Sequence, residues 1–209
     1  MSIKKLNYFI LILSLTLITS CNDDSKISII TNEGLVKLEQ LTIEQFGGET
    51  EVYSFSIYSE EDLSAHLGSM TIEYFKEDRE IYANTYNAIT YGEEPNLTGE
   101  EKREQITKFR PKWKTPEGNG KIKIKDIDFG HIIPNILTAK EILGDNVASV
   151  YIKYYDIKVE AETNTLIANF KLQYTPEENA TTLEGRNIVT NYYEADFKVD
   201  ANGEVILKE

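Results

Sequence analysis

Between residues 165 and 199 apolar side chains recur at every second position. Leu166, Ala168, Phe170, Leu172 and Tyr174 share one side of 165–174, and Val189, Asn191, Tyr193, Ala195, Phe197 and Val199 share one side of 187–199. Side chains alternate across a strand but repeat every 3.6 residues on a helix, so only extended chain with one covered face satisfies this pattern. A strand over 148–161 precedes these two, and Asn202-Gly203 supplies a tight turn before a last strand at 204–208. The result is an antiparallel meander, and its apolar face needs a cover. Pro134, read as a first helical position, and Gly144, read as the residue just past a helix, frame a helix of suitable length.

The N-terminal half alternates less cleanly. Val52, Ser54, Ser56 and Tyr58 oppose Tyr53, Phe55 and Ile57, and Met70, Ile72 and Tyr74 share a face. The segment 35–46 fits either period: Leu35, Leu38 and Leu41 suit a helix, whereas Leu41, Ile43 and Gln45 suit a strand. Gly47-Gly48 beyond it favours a strand and hairpin turn. Tyr82, Tyr86 and Ile89 have helical spacing within 77–90, and Thr98 with Glu101 forms a capping-box pattern for a short helix ending near Phe109. Residues 111–120, with two prolines and two glycines, read as a long loop. In 121–129, Ile122 and Ile124 share one face but Ile127 and Phe129 the other, a slip that predicts a bulge near Lys125-Asp126. These elements predict an α+β fold rich in antiparallel sheet, with a helix on the C-terminal meander and an organisation that allows two small subdomains. The expected divisions are 1–20, 21–33, an N-terminal β-rich half at 34–110, and a C-terminal β-α-β-meander half at 111–209.

The first two divisions concern an address. Lys4 and Lys5 precede an apolar run from Leu6 to Ile18, which as a helix would span roughly 20 Å against a bilayer core of ~30 Å. That is the layout of a secretory leader. Ile18-Thr19-Ser20-Cys21 at its end resembles the lipobox of bacterial lipoproteins. The resemblance implies that residues 1–20 are a signal peptide and that Cys21 becomes the lipidated first residue. It further implies a tether over 21–33 and a protein anchored to the outer membrane of the cell envelope. Asn22-Asp23-Asp24-Ser25-Lys26 is similar to the acidic stretch that follows the lipid in Bacteroidetes lipoproteins, which implies exposure at the cell surface.

Charge and cysteine content narrow the chemistry. The chain carries a net −13, and loss of Lys4 and Lys5 with the leader takes it to −15, which opposes nucleic-acid binding and repels anionic headgroups. Cys21 is the only cysteine, so the fold has no internal disulfide, no thiol nucleophile and no cysteine-ligated zinc. Neither His66 nor His131 lies in a catalytic motif. Asp126, Asp128 and His131 cluster, but a calcium loop starting at Asp126 would need an acid where Leu137 stands. Neither a metal nor an organic cofactor is expected.

One stretch reverses the acidic background. Lys108, Arg110, Lys112, Lys114, Lys121, Lys123 and Lys125 surround Phe109 and the single Trp113. Arg110, Lys112, Trp113 and Lys114 are the candidate ligand-binding residues, suited to a protein partner or an anionic glycan. Alternatively Trp113 is buried and the lysines hold the chain's own carboxylates. Three function classes follow: a non-enzymatic binding or interaction module, a hydrolase of envelope polymers using paired carboxylates, and a structural subunit of an outer-membrane assembly.

Overall fold

The strands predicted at 148–199 become the middle and one flank of a nine-stranded antiparallel sheet. The computed structural model describes residues 26–208 apart from 77–79, 90–93, 104–119, 161, 162, 164, 179, 185 and 186. In chain order the elements are α1 (Asn32–Phe46), β1 (Glu51–Val52), β2 (Ser54–Ser59), β3 (Leu67–Phe75), β4 (Ile81–Asn87), β5 (Asn96–Leu97), β6 (Glu101–Lys102) and β7 (Ile122–Lys123). There follow 3-10 turns at Ile124–Asp126 and Phe129–His131, then α2 (Ile132–Leu143), β8 (Val147–Val159), β9 (Leu166–Pro176), β10 (Thr181–Glu184), β11 (Asn187–Thr190), β12 (Tyr193–Val199) and β13 (Val205–Leu207). The main sheet runs β13-β12-β9-β8-β2-β3-β4-β5, with β6 also pairing β4. The protein is α+β: mostly antiparallel sheet, with two helices among the described residues.

Alternation sets the sheet's two faces. Phe55 and Ile57 of β2, Met70 and Ile72 of β3, Ile152, Tyr155 and Ile157 of β8, Ala168, Phe170 and Leu172 of β9, and Phe197 and Val199 of β12 are buried in one continuous core. In β8 the register shifts between Ile152 and Tyr154, so Ile152 and Tyr155 both meet core partners, Leu172 and Phe170. Leu35, Leu38 and Phe46 of α1 and Ile132, Ile136 and Ala139 of α2 complete this core. Asn135 on α2 donates to the Tyr155 hydroxyl at 2.6 Å, satisfying a polar group that is otherwise surrounded by apolar side chains.

Several expectations are corrected. Residues 35–46 are helix, not strand: Leu35, Leu38, Thr42 and Phe46 form its buried stripe, and Thr31 caps its start by accepting from the Gly34 N–H. Thr42 sits in the core because its hydroxyl donates back to the Leu38 carbonyl at 2.7 Å. Within 77–90 the described chain is strand β4, paired along its length with β3, rather than helix. Thr98 caps no helix; its hydroxyl donates to the Thr85 carbonyl and accepts from the Thr85 N–H, clipping the edge of the sheet. Residues 121–129 form two strand residues and then 3-10 turns, and it is these turns, not a bulge, that bring Ile124, Ile127 and Phe129 to the core together. Pro134 is the third residue of α2, within the first turn whose N–H groups lack helical partners. Residues 187–199 form two strands, β11 and β12. Gly144 does end its helix, at φ 91°.

The described part of the segment read as a tether is built into the fold. Ile29 is fully buried, and its N–H donates to the Ala65 carbonyl at 2.8 Å. A Cβ on Gly34 would lie 1.7 Å from the Ser28 carbonyl oxygen, backbone that cannot rotate away. Gly34→Ala is therefore expected to destabilise the protein by up to about 3 kcal/mol, the upper range for overpacking. Urea denaturation would measure the loss, and faster amide exchange at Ile29 would locate it.

Candidate functional site

The sheet face opposite the core carries polar side chains on the alternate positions of the same strands. On β2 these are Ser54, Ser56 and Tyr58, which pair across to Lys158, Asp156 and Tyr154 of β8. Ser54 and Ser56 both donate to Asp156 Oδ1 at 2.9 Å, and Lys158 lies 2.5 Å from its other oxygen. Tyr154 donates to Asp196 at 3.0 Å, and Lys171 bridges Glu194 at 3.1 Å and Asp196 at 3.4 Å. Acids and bases thus alternate and pair. Tyr58 is the exception: it stands beside the Tyr154 ring, centroids 6.4 Å apart, with 43% of its surface exposed on an inner strand of the sheet.

A loop over 60–66 borders this face. Gln173 on β9 is completely buried, and its Nε2 donates to Asp62 Oδ1 at 2.8 Å and to Glu194 Oε1 at 3.0 Å. Its Oε1 accepts from the Leu63 N–H at 2.8 Å. This last bond holds Leu63 at φ 56°, the left-handed region that a branched residue seldom adopts. Tyr192 donates to Asp62 Oδ2 at 2.8 Å, and Lys153 bonds to Oδ1. Together Lys153, Gln173 and Tyr192 hold the Asp62 carboxyl down at about 2, from an ordinary 3.8. Lys171 and Gln173 likewise lower Glu194, with Gln173 the larger cause. Burial first, and then Asp196, push the Tyr154 hydroxyl up to about 12. Asp62 and Glu194 are therefore ionised, and Tyr154 neutral, at neutral pH.

The Asp62 shift has a definite sign. A carboxyl lowered by folding contributes stability above its unfolded value and loses it as pH falls through the folded one. The contribution of Asp62 is thus present above about pH 4 and lost toward pH 2. We expect the melting temperature to fall across that window and the fall to be shallower in Asp62→Asn. Calorimetry from pH 5 to 2 would check this, and equal slopes would exclude Asp62 as a contributor.

Of the sequence's candidates, Cys21, Arg110, Lys112, Trp113 and Lys114 lie outside the described residues. The later part of the cationic run is described and is engaged internally: Lys121 meets Glu51 at 3.4 Å, while Lys123 and Lys125 share Glu49. Those two lysines hold Glu49 at about 2. His131 Nε2 lies 3.2 Å from Asp128, both side chains exposed, and Asp128 accepts from the Gly130 N–H at 2.8 Å, so the pair serves a turn. No group of three metal-ligating side chains occurs among the described residues. His66 is half-buried and joins Ser28 in a backbone bridge.

Sequence reasoning missed Asp62, Gln173, Tyr58 and Tyr154. The signal for Tyr58 and Tyr154 was present: both fall on the polar phase of an alternating strand. Asp62 and Gln173 carried none, because 111 residues separate them. No described helix is long and apolar enough to cross a membrane. Comparison with protein-family models, curated proteins and solved structures finds no match.

Proposed function

We propose that the chain is a lipid-anchored, non-enzymatic binding module of the outer membrane, attached through Cys21, that presents the polar sheet face around Tyr58 and Tyr154 to a partner. The observation that carries this reading is the Tyr58–Tyr154 ring pair, Tyr58 exposed and Tyr154 half-buried, beside the ion-paired Lys158 and Lys171. Aromatic rings flanked by fixed hydrogen-bonding groups stack on sugar rings and bind their hydroxyls, whereas lysines already held by carboxylates, as Lys158 and Lys171 are, have little pull on a polyanion. A glycan is the partner class that fits.

Hydrolysis by paired carboxylates is the weaker reading. It needs one carboxyl raised so that it can act as an acid at neutral pH. Every described carboxyl with a resolved shift, Glu49, Asp62, Glu194 and Asp200, moves the other way. The pairing of β2 with β8 and the continuous core favour one folded unit over two subdomains. Arg110, Lys112, Trp113 and Lys114 are proposed as a further contact on sequence alone, and exposure of Trp113 to aqueous quenchers tests it.

Screening the purified protein against a panel of neutral and acidic glycans tests the main reading. We expect binding to at least one glycan and its weakening by about tenfold, roughly 1.4 kcal/mol, in Tyr58→Ala. Unchanged affinity in Tyr58→Ala would remove this face from the site.

A further inference from the structure

The β10–β11 ladder stands apart from the main sheet. Its strands pair only with each other among the described residues, Leu183 opposite Ile188 and Thr182 opposite Val189. Leu183 and Ile188 share one face of the ladder, and each leaves 75% of its surface exposed. A two-stranded hairpin is marginal in water, and an exposed cross-strand apolar pair adds cost without a partner. In a chain with 35 acidic residues, the eight strand residues of this hairpin include one acid, Glu184, and no base.

The hairpin leaves from the end of the molecule at which the chain enters. Tyr58 pairs with Tyr154, Val147 with Pro176 and Tyr193 with Tyr174, so the loop over 60–66, the start of β8, the end of β9 and the start of β12 lie at one end of the sheet. Lys26 is fixed there by Glu60 at 2.9 Å, Leu67 donates to the Ile27 carbonyl at 2.8 Å, and Ser28 bridges His66. Asp62 of the same loop holds Tyr192, two residues past β11. Between Lys26 and Cys21 lie five peptide links, a reach of at most about 18 Å. The four-residue strands of the hairpin extend about 10–14 Å. The extent of the hairpin therefore falls within the reach of the tether from the same end.

We propose that the β10–β11 hairpin is a second membrane contact, its Leu183–Ile188 face entering the surface of the bilayer to which Cys21 ties the chain. The proposal rests on the lipid anchor of the preceding section. It also reconciles that anchor with a mature net charge of −15: the acidic body stands off the headgroups while a hairpin with one acid in its strands touches them. The open edges of a two-stranded ladder leave backbone groups unpaired, which limits entry to the interface rather than the hydrocarbon centre.

The lone cysteine makes the test direct, because lipidation consumes the Cys21 thiol and an introduced cysteine is then the single reactive one. Full-length Leu183→Cys, Ile188→Cys and Asn202→Cys chains, processed in cells and reconstituted into phosphatidylethanolamine–phosphatidylglycerol vesicles, would carry an environment-sensitive fluorophore. Asn202 lies in the β12–β13 turn at the opposite end of the sheet and is the control. Blue-shifted emission at 183 and 188, quenched by nitroxide-bearing lipids several-fold more than at 202, is the expected result. Labels at 183 and 188 as water-exposed as that at 202 would overturn the proposal. Shielding in native membranes but not in the lipid vesicles would also overturn it, assigning the hairpin to a protein partner. Reaction of the wild-type chain with the fluorophore, which can occur only at Cys21, would instead overturn the anchor itself.

Discussion

Cys21→Ser is expected to abolish incorporation of labelled fatty acid and to leave the chain either soluble or with its leader uncleaved. A thiolate alkylates readily where a serine hydroxyl does not, and no second cysteine exists to take its place. The size of the effect follows from the anchor's arithmetic. At ~0.8 kcal/mol per buried CH₂, one acyl chain gives marginal and reversible attachment, while the two or three chains that the lipobox resemblance implies hold a protein on a bilayer persistently. Fractionation should therefore show a near-complete redistribution rather than a partial one. The same substitution should leave the melting temperature of the mature domain unchanged, since Cys21 forms no disulfide. Location and folding thus separate within one variant. Equal label in the wild-type and Cys21→Ser chains would end the lipoprotein reading.

How far the fold could be read from the sequence depended on whether one period dominated locally. From Ala168 to Leu172 in β9 and from Tyr193 to Val199 in β12 the core phase is apolar or aromatic, and the alternate residues Asn169, Lys171, Glu194, Asp196 and Lys198 are polar or charged, so these strands could be read directly. In α1 the buried stripe includes Thr42, a polar residue whose hydroxyl is satisfied by the Leu38 carbonyl of its own helix and by Met70 Sδ, and without it the remaining leucines fit two periods equally well. Residues Tyr82 and Tyr86 have helical spacing and also fit a strand; the choice was made by the long pairing of β4 with β3, which no local pattern encodes. Thr98 shows the same limit, since the hydroxyl that would cap a helix serves equally well to clip two strands together. The polar face was half legible. Its tyrosines and lysines occupy the solvent phase of recognisable strands, but the network around Asp62 and Gln173 joins a loop after β2 to the middle of the C-terminal meander.

Phe170→Ala is expected to be the most damaging single truncation in the sheet, at about 3–5 kcal/mol. Phe170 is fully buried on β9 and lies between two rings on the neighbouring strands, Tyr155 at 5.1 Å and Phe197 at 5.3 Å, each nearly parallel to it. Removing it would open a cavity where three strands meet, and no neighbour could collapse into that space without breaking the stack. Set against a typical total of about 5–15 kcal/mol for a folded domain, such a loss brings the protein close to unfolding. The next residue provides the contrast. Lys171 points to the opposite face, paired with Glu194 and Asp196 and partly open to solvent, where screening and side-chain entropy limit a salt bridge to about 1 kcal/mol or less. Urea denaturation of Phe170→Ala and Lys171→Ala should therefore give midpoints far apart with similar slopes. Near-equal losses would mean that the sheet does not divide into an apolar face that carries its stability and a polar face that is free to bind.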